Sequence, residues 1–364
     1  MDFMSELISF IQSNNIMHSQ KEDFFRHIPK ELLRPESEIN ELTSKVYKVV
    51  KSKHSFHCLY PGCCEKPIKS HSIQKSLLKG ITDETNHVLN FSIDAKFNVN
   101  GNISVKQNRP GIKDASTFEG FCNKHDTEIF LPIEKVDIDF SNNEHCFLLL
   151  YRSVVREYYE SRNSYFLFKN FIKEIQPFLD KKNPIHFFLI KRCYLQYCEF
   201  FQAERMKKIL DECYLRKIYN CLFRYKYAII SKELPFFANT YFCVQGYKNG
   251  KMKKIDITKD IPYSFSITIL PSKGKTYIFY AYLEKQETDL SDFLKLFETT
   301  DEIQLQMFIT DTILRNSDNF YISPKYWNNI PEEEQNELLS FFKETIFNRE
   351  FKISNDYNLF KYIV

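Results

Sequence analysis

His57-Cys58-Leu59-Tyr60-Pro61-Gly62-Cys63-Cys64-Glu65-Lys66-Pro67-Ile68-Lys69-Ser70-His71-Ser72-Ile73-Gln74 holds three of the chain's 10 cysteines in one short stretch. Cys58 and Cys63 flank Tyr60-Pro61-Gly62, a turn sequence that bends the chain so that both sulfurs face one point. Further on, Ala115-Ser116-Thr117-Phe118-Glu119-Gly120-Phe121-Cys122-Asn123-Lys124-His125-Asp126 places Cys122 and His125 three residues apart, and one helical turn carries both on one face. Together the four supply the number and kind of donor that a closed tetrahedral zinc site takes. Cys64 competes with Cys63; Cys63 is preferred because it directly follows the turn. The other reading of such residues is a set of buried apolar thiols, which suits a pair beside a Pro-Gly turn in a Lys-rich stretch less well.

Outward from this segment, 364 residues exceed one typical domain, and 43% hydrophobic with 27% charged residues is a globular balance that excludes disorder as the main state. No run approaches the roughly 18 apolar residues of a membrane span, so no membrane partner is expected. The start, Met1-Asp2-Phe3-Met4-Ser5-Glu6, reads as no signal peptide, and the expected location is the cytoplasm, where clustered cysteines serve as ligands or core rather than disulfides. A net charge of +3 announces no nucleic-acid binder by itself, but Lys51 to Lys79 holds six lysines against the single acid Glu65. Lys66, Lys69 and Lys75 are therefore candidate phosphate contacts, with Lys106, Arg109 and Lys113 further along; a solvated face is the plainer reading of the same charges.

Four segments follow from the patterning: N-terminal helices over 1–52, the cysteine-bearing module over 53–135, a helical region over 136–222, and an antiparallel sheet with C-terminal helices over 223–364. The expected class is α+β. In the first segment Ile39, Leu42, Val46 and Val49 recur at helical spacing after Pro35. In the second, Val88 to Phe97 and Asn102 to Gln107 read as strands broken by Asn100-Gly101 and Pro110-Gly111. The third is broken at Asp180 to Pro184. The fourth carries strand patterns at Tyr225–Ile230, Thr240–Val244, Ser264–Ile269 and Thr276–Ala281, bounded by Asn249-Gly250 and by Pro271 to Gly274, then a helix after Pro331. Cys193, Cys198, Cys213, Cys221 and Cys243 lie in aromatic contexts and read as core. Arg152 and Arg156, four apart, share one side of a helix in a salt-bridged setting. With 8 glycines and no nucleophile elbow, phosphate-cradling loops and serine hydrolases are excluded.

A knuckle, a hairpin and a helix that delivers the second ligand pair make a treble-clef or ββα-metal arrangement. In roughly residues 53 to 132 the sequence resembles the HNH nuclease superfamily, with Ile68-Lys69-Ser70-His71-Ser72-Ile73 as the strand and Phe121 onward as the helix. The resemblance implies a structural Zn²⁺ on Cys58, Cys63, Cys122 and His125, and His71 as general base. Imidazole titrates in the range that this role needs. It also implies Mg²⁺ or another divalent cation near Asp126, a hard oxygen ligand, with Glu128 and His87 as weaker partners. Two family features are missing: no Asn precedes the second pair, and no second histidine stands beside His71. A zinc-ligand or purely structural role for His71 remains as an alternative. Ser-His-Ser-Ile-Gln and the Ala-Ser-Thr-Phe to His-Asp segment are also similar to those of a group of bacterial proteins, a likeness that implies phage defence, with a second copy or a defence-system protein as partner. Phosphodiester hydrolysis on DNA or RNA is the expected function. The alternatives are a non-catalytic zinc-stabilised protein that binds nucleic acid or a partner, and a module that is a fold staple only.

Overall fold

The structure is a computed structural model that describes residues 57–94, 104–175, 184–220, 222–244, 263–299, 301–345 and 357–363, together with 41, 45, 48, 247–248 and 251–252. The expected N-terminal helix, apart from Glu41, Lys45 and Lys48, which are helical, lies outside these residues, as do the Asn100-Gly101 and Asn249-Gly250 turns and Cys221.

In chain order the elements are β1 (Lys69–His71), α1 (Lys75–Leu78), β2 (Asn90–Asp94), β3 (Ser104–Asn108), β4 (Thr117–Glu119), α2 (Asn123–Glu134), α3 (Asn143–Ile175), α4 (Pro184–Arg216), β5 (Phe223–Ile230), β6 (Phe236–Cys243), β7 (Tyr247–Lys248), β8 (Lys251–Met252), β9 (Ser264–Ser272), β10 (Lys275–Leu283), α5 (Ser291–Leu294), α6 (Glu302–Asn316), β11 (Phe320–Ile322), α7 (Pro324–Asn329) and α8 (Glu332–Thr345). The chain is α+β, as expected from its patterning. It groups into two compact units, one of Met1–Phe56, Ile93–Ser104 and Tyr158–Glu204, the other of His57–Ser92, Val105–Glu157 and Arg205–Val364.

In the first unit Tyr165 of α3 stacks on Phe200 of α4 at 5.6 Å between ring centroids. The second unit is built on a five-stranded sheet in the order β11-β6-β9-β10-β5, antiparallel throughout. Strand β9 is buried along nearly its whole length, so both of its faces are covered. Residues 145–156 of α3 are buried on every side, as befits a helix running through a core rather than over it. Its two arginines there are neutralised, Arg152 by Glu134 at 2.6 Å and Arg156 by Asp318 at 2.7 Å.

The cysteine module rests on this sheet. Ile73, Leu78, Ile81, Val88 and Ala115 form one apolar cluster with Phe237 of β6 and Tyr321 of β11, and each Ile, Leu, Val or Phe among them contributes roughly 1.5–3 kcal/mol on burial. Leu89 and Ile322 exchange backbone hydrogen bonds at 2.9 Å, so the module's own chain continues the sheet beyond β11. Asn319 and β11, three residues too short to show a strand pattern, thus become the seam of the module.

Candidate metal centre

The knuckle is closed by its backbone. Cys63 donates its N–H to the Tyr60 carbonyl at 3.1 Å, and Gly62 sits at φ +75°, a conformation that costs glycine nothing. Cys58 bonds Glu65 across the turn at 2.8 Å, and Leu59 and Ile68 bond Gly120 and Phe121 at 2.9 and 2.7 Å. These last two bonds fasten the knuckle to the segment that carries the second ligand pair. Strand β1 pairs antiparallel with β4, matching Lys69 with Glu119, Ser70 with Phe118 and His71 with Thr117. The long span between Ser72 and Ala115 leaves the hairpin as an insertion holding α1, β2 and β3 and returns to it. Cys122 is the N-cap of α2 and His125 lies in its first turn.

The result is that the ligand atoms of Cys58, Cys63, Cys122 and His125 all lie within 4.8 Å of one another, so the cluster could hold a metal ion. Among the described residues no other group of three or more such donors converges. His125 Nδ1 is 3.4 Å from Cys58 Sγ and 3.3 Å from Cys122 Sγ. A tetrahedron with bonds of about 2.3 Å to sulfur and about 2.0 Å to nitrogen has an N···S edge of about 3.5 Å, which these two distances match. Cys64 is exposed and outside the cluster, while Cys63 is half-buried within it.

Burial pushes the Cys58 thiol up to about 11. At Cys122 burial raises the thiol too, but the N–H groups of His125 and Lys124 and the neighbouring thiols donate to its sulfur and hold it below the ordinary value. The sulfur at the helix N-terminus is thus readier than that of Cys58 to ligate as thiolate. The His125 ring lies flat against Tyr60, with centroids 3.9 Å apart and planes within 9°. Tyr60 in turn meets Tyr214 edge-on, and Tyr214 stacks on Tyr151 of α3. This aromatic column fixes the imidazole from the core outward. Sequence reasoning placed Tyr60 only in the turn; its position inside the knuckle was the available signal.

His71 is partly exposed, and its Nε2 lies 3.2 Å from the carbonyl oxygen of Ile112. A carbonyl only accepts, so Nε2 carries the proton and Nδ1 holds the lone pair of the neutral ring. Asp126, half-buried in the first turn of α2, bonds the Ser70 hydroxyl. Burial lifts its carboxyl above the ordinary range, while that bond and the charge of Arg152 pull it back. Ser70 also accepts the Phe121 N–H at 3.2 Å, which ties β1 to the start of α2. Glu128 is exposed, and His87 instead bonds Thr85 Oγ1 through Nδ1 at 2.9 Å. Lys66, Lys69 and Lys75 are exposed; Lys69 is held by Asp114 at 2.6 Å, which leaves Lys66 and Lys75 as the candidate cations without an ion pair among the described residues.

No helix among the described residues is long and apolar enough to cross a membrane. Comparison with protein-family models, with curated proteins and with solved structures finds no match to the chain.

Proposed function

We propose that the chain is a metal-dependent phosphodiester hydrolase of the HNH type, acting on DNA or RNA in the cytoplasm as a defence effector, with Zn²⁺ on the Cys₃His cluster holding a treble-clef module. The observation that carries this reading is the joint placement of a knuckle, a hairpin and a helix at one set of four donors, with Asp126 in the first turn of α2 bonding the hydroxyl of Ser70, the neighbour of His71 on β1. Reduced cysteines and the soft donor set favour zinc over magnesium or calcium there.

In this reading the Ile112 carbonyl orients His71, and its Nδ1 takes the proton of an attacking water. Asp126, with its two carboxylate oxygens, would hold a divalent cation such as Mg²⁺, and that cation would supply charge neutralisation at the leaving oxygen. Ser70 positions Asp126. Lys66 and Lys75 meet backbone phosphates.

The test is His71→Ala on the full chain. Cleavage is expected to fall by about 10²- to 10⁴-fold, with zinc content unchanged and the melting temperature within a few degrees. Cleavage at the wild-type rate rejects the role. A second reading, a zinc-stabilised binder without catalysis, is favoured by Ser70 standing beside His71 in place of a second histidine. Salt-dependent binding without cleavage under any divalent cation selects it.

A further inference from the structure

Away from the cysteine cluster, a cleft of about 810 Å³ opens between the loop that follows α2 and the β9–β10 hairpin. Its aromatic ledge is Phe140 and Tyr277, whose centroids are 4.9 Å apart, and Phe140 stacks on Tyr227 beyond them, also at 4.9 Å. Three lysines, Lys135, Lys273 and Lys275, line the same cleft. Lys273 reaches across to Asp137, and with side chains 75% and 77% exposed this pair adds little stability and is easily exchanged. The carboxylate of Glu134 is taken by Arg152. Lys135 and Lys275 therefore face the cleft without an acidic partner among the described residues.

A partly exposed aromatic cluster flanked by ammonium groups without an ion pair matches one ligand chemistry, a planar base joined to phosphates. We propose that this cleft binds single-stranded nucleic acid, with an unpaired base against Phe140 and Tyr277 and the adjoining phosphates on Lys135 and Lys275. Lys273 joins them when it leaves Asp137. A base inside a duplex has no free face to offer, so the ledge selects single strands. The volume takes one or two nucleotides. Gln74, on the cleft wall, is three residues from His71, at most about 10 Å of chain, so the imidazole lies within the reach of a strand of a few nucleotides seated here. This inference deepens the reading of the chain as a nuclease and rests on nucleic acid being its substrate.

The experiment is fluorescence anisotropy with a labelled 12-nucleotide single strand, a duplex of the same sequence, and adenosine monophosphate as competitor, using the full chain with its metal. The double variant Lys135→Ala/Lys275→Ala is expected to weaken binding of the single strand about tenfold. It is also expected to flatten the slope of log K against log salt by about 1.4, as for two lost phosphate contacts, with the melting temperature unchanged. Phe140→Leu is expected to weaken binding without changing the slope. Wild-type affinity in the double variant, equal or tighter binding of the duplex, or competition by the mononucleotide at strand-like affinity overturns the proposal. Binding by wild type without cleavage leaves the cleft standing and removes the nuclease; cleavage by wild type with the double variant binding and cutting normally does the reverse.

Discussion

Asn319 donates its side-chain amide to the Ser72 hydroxyl at 3.0 Å, across 247 positions of chain, and to the Asn239 carbonyl at 2.9 Å. Ser72 follows His71, and Asn239 belongs to the central sheet, where it bonds Ser153 of α3 and Thr268 of β9 at 2.7 and 2.9 Å. One amide thus spans hairpin and sheet by direct hydrogen bonds. Asn319→Ala is expected to leave the Asn239 carbonyl and part of the Ser72 bonding unmet in a dry interior, at a cost of about 2–4 kcal/mol. Equilibrium denaturation in urea checks this; a midpoint equal to wild type shows that the bond is not needed.

What the sequence could and could not show follows from the range of each signal. Cys58, Cys63, Cys122 and His125 were legible because a turn and one helical repeat act over a few residues, and the same local logic separated Cys63 from Cys64. The β-branched and aromatic runs of β9 and β10, bounded by the turn at Pro271 to Gly274, were legible for the same reason. Asn319, β11 and the Ile112 carbonyl were not, since three residues carry no period and a buried amide looks like a loop residue until its partner is known. Nor could composition reveal that Asn143–Ile175 and Pro184–Arg216 are each shared between two compact units.

Ser116 is the corner of the same hairpin. Its φ of +61° is unfavourable for a residue with a Cβ, while its hydroxyl lies 2.6 Å from Ser72 Oγ and accepts the Ile73 N–H at 2.7 Å. Ser116→Ala loses the hydroxyl and keeps the strain; Ser116→Gly loses the hydroxyl and relieves it. The glycine variant is expected to be more stable than the alanine variant by about 1 kcal/mol, with both below wild type. The reverse order in thermal melts would show that the backbone relaxes at this corner.

If the cluster binds a metal, Tyr60 supports a ligand rather than acting as one. With its ring removed in Tyr60→Ala, His125 loses the surface that fixes its orientation, and metal affinity is expected to fall about 10-fold, within the range seen when supporting groups are lost. Tyr60→Phe keeps the stack and is expected to keep the affinity. Competition with a chromophoric chelator reads both, and equal affinities in all three proteins would assign the ring to packing alone.

Cys63 and Cys64 are neighbours with opposite surroundings, one inside the donor set and one exposed. If the cluster binds zinc, Cys63→Ser removes one of four ligands, and since binding energy in such a module is folding energy, both zinc content and melting temperature are expected to drop; chelation of wild type is expected to lower the melting temperature in the same direction. Cys64→Ser is expected to retain one zinc per chain and the wild-type melting curve, because a surface thiol touches none of the donors. Elemental analysis beside calorimetry distinguishes the two. Equal zinc content in both variants would mean that the two sulfurs exchange roles across the turn, and an unchanged melt after chelation would mean that the backbone bonds from Leu59 and Ile68 to Gly120 and Phe121 hold the knuckle without an ion.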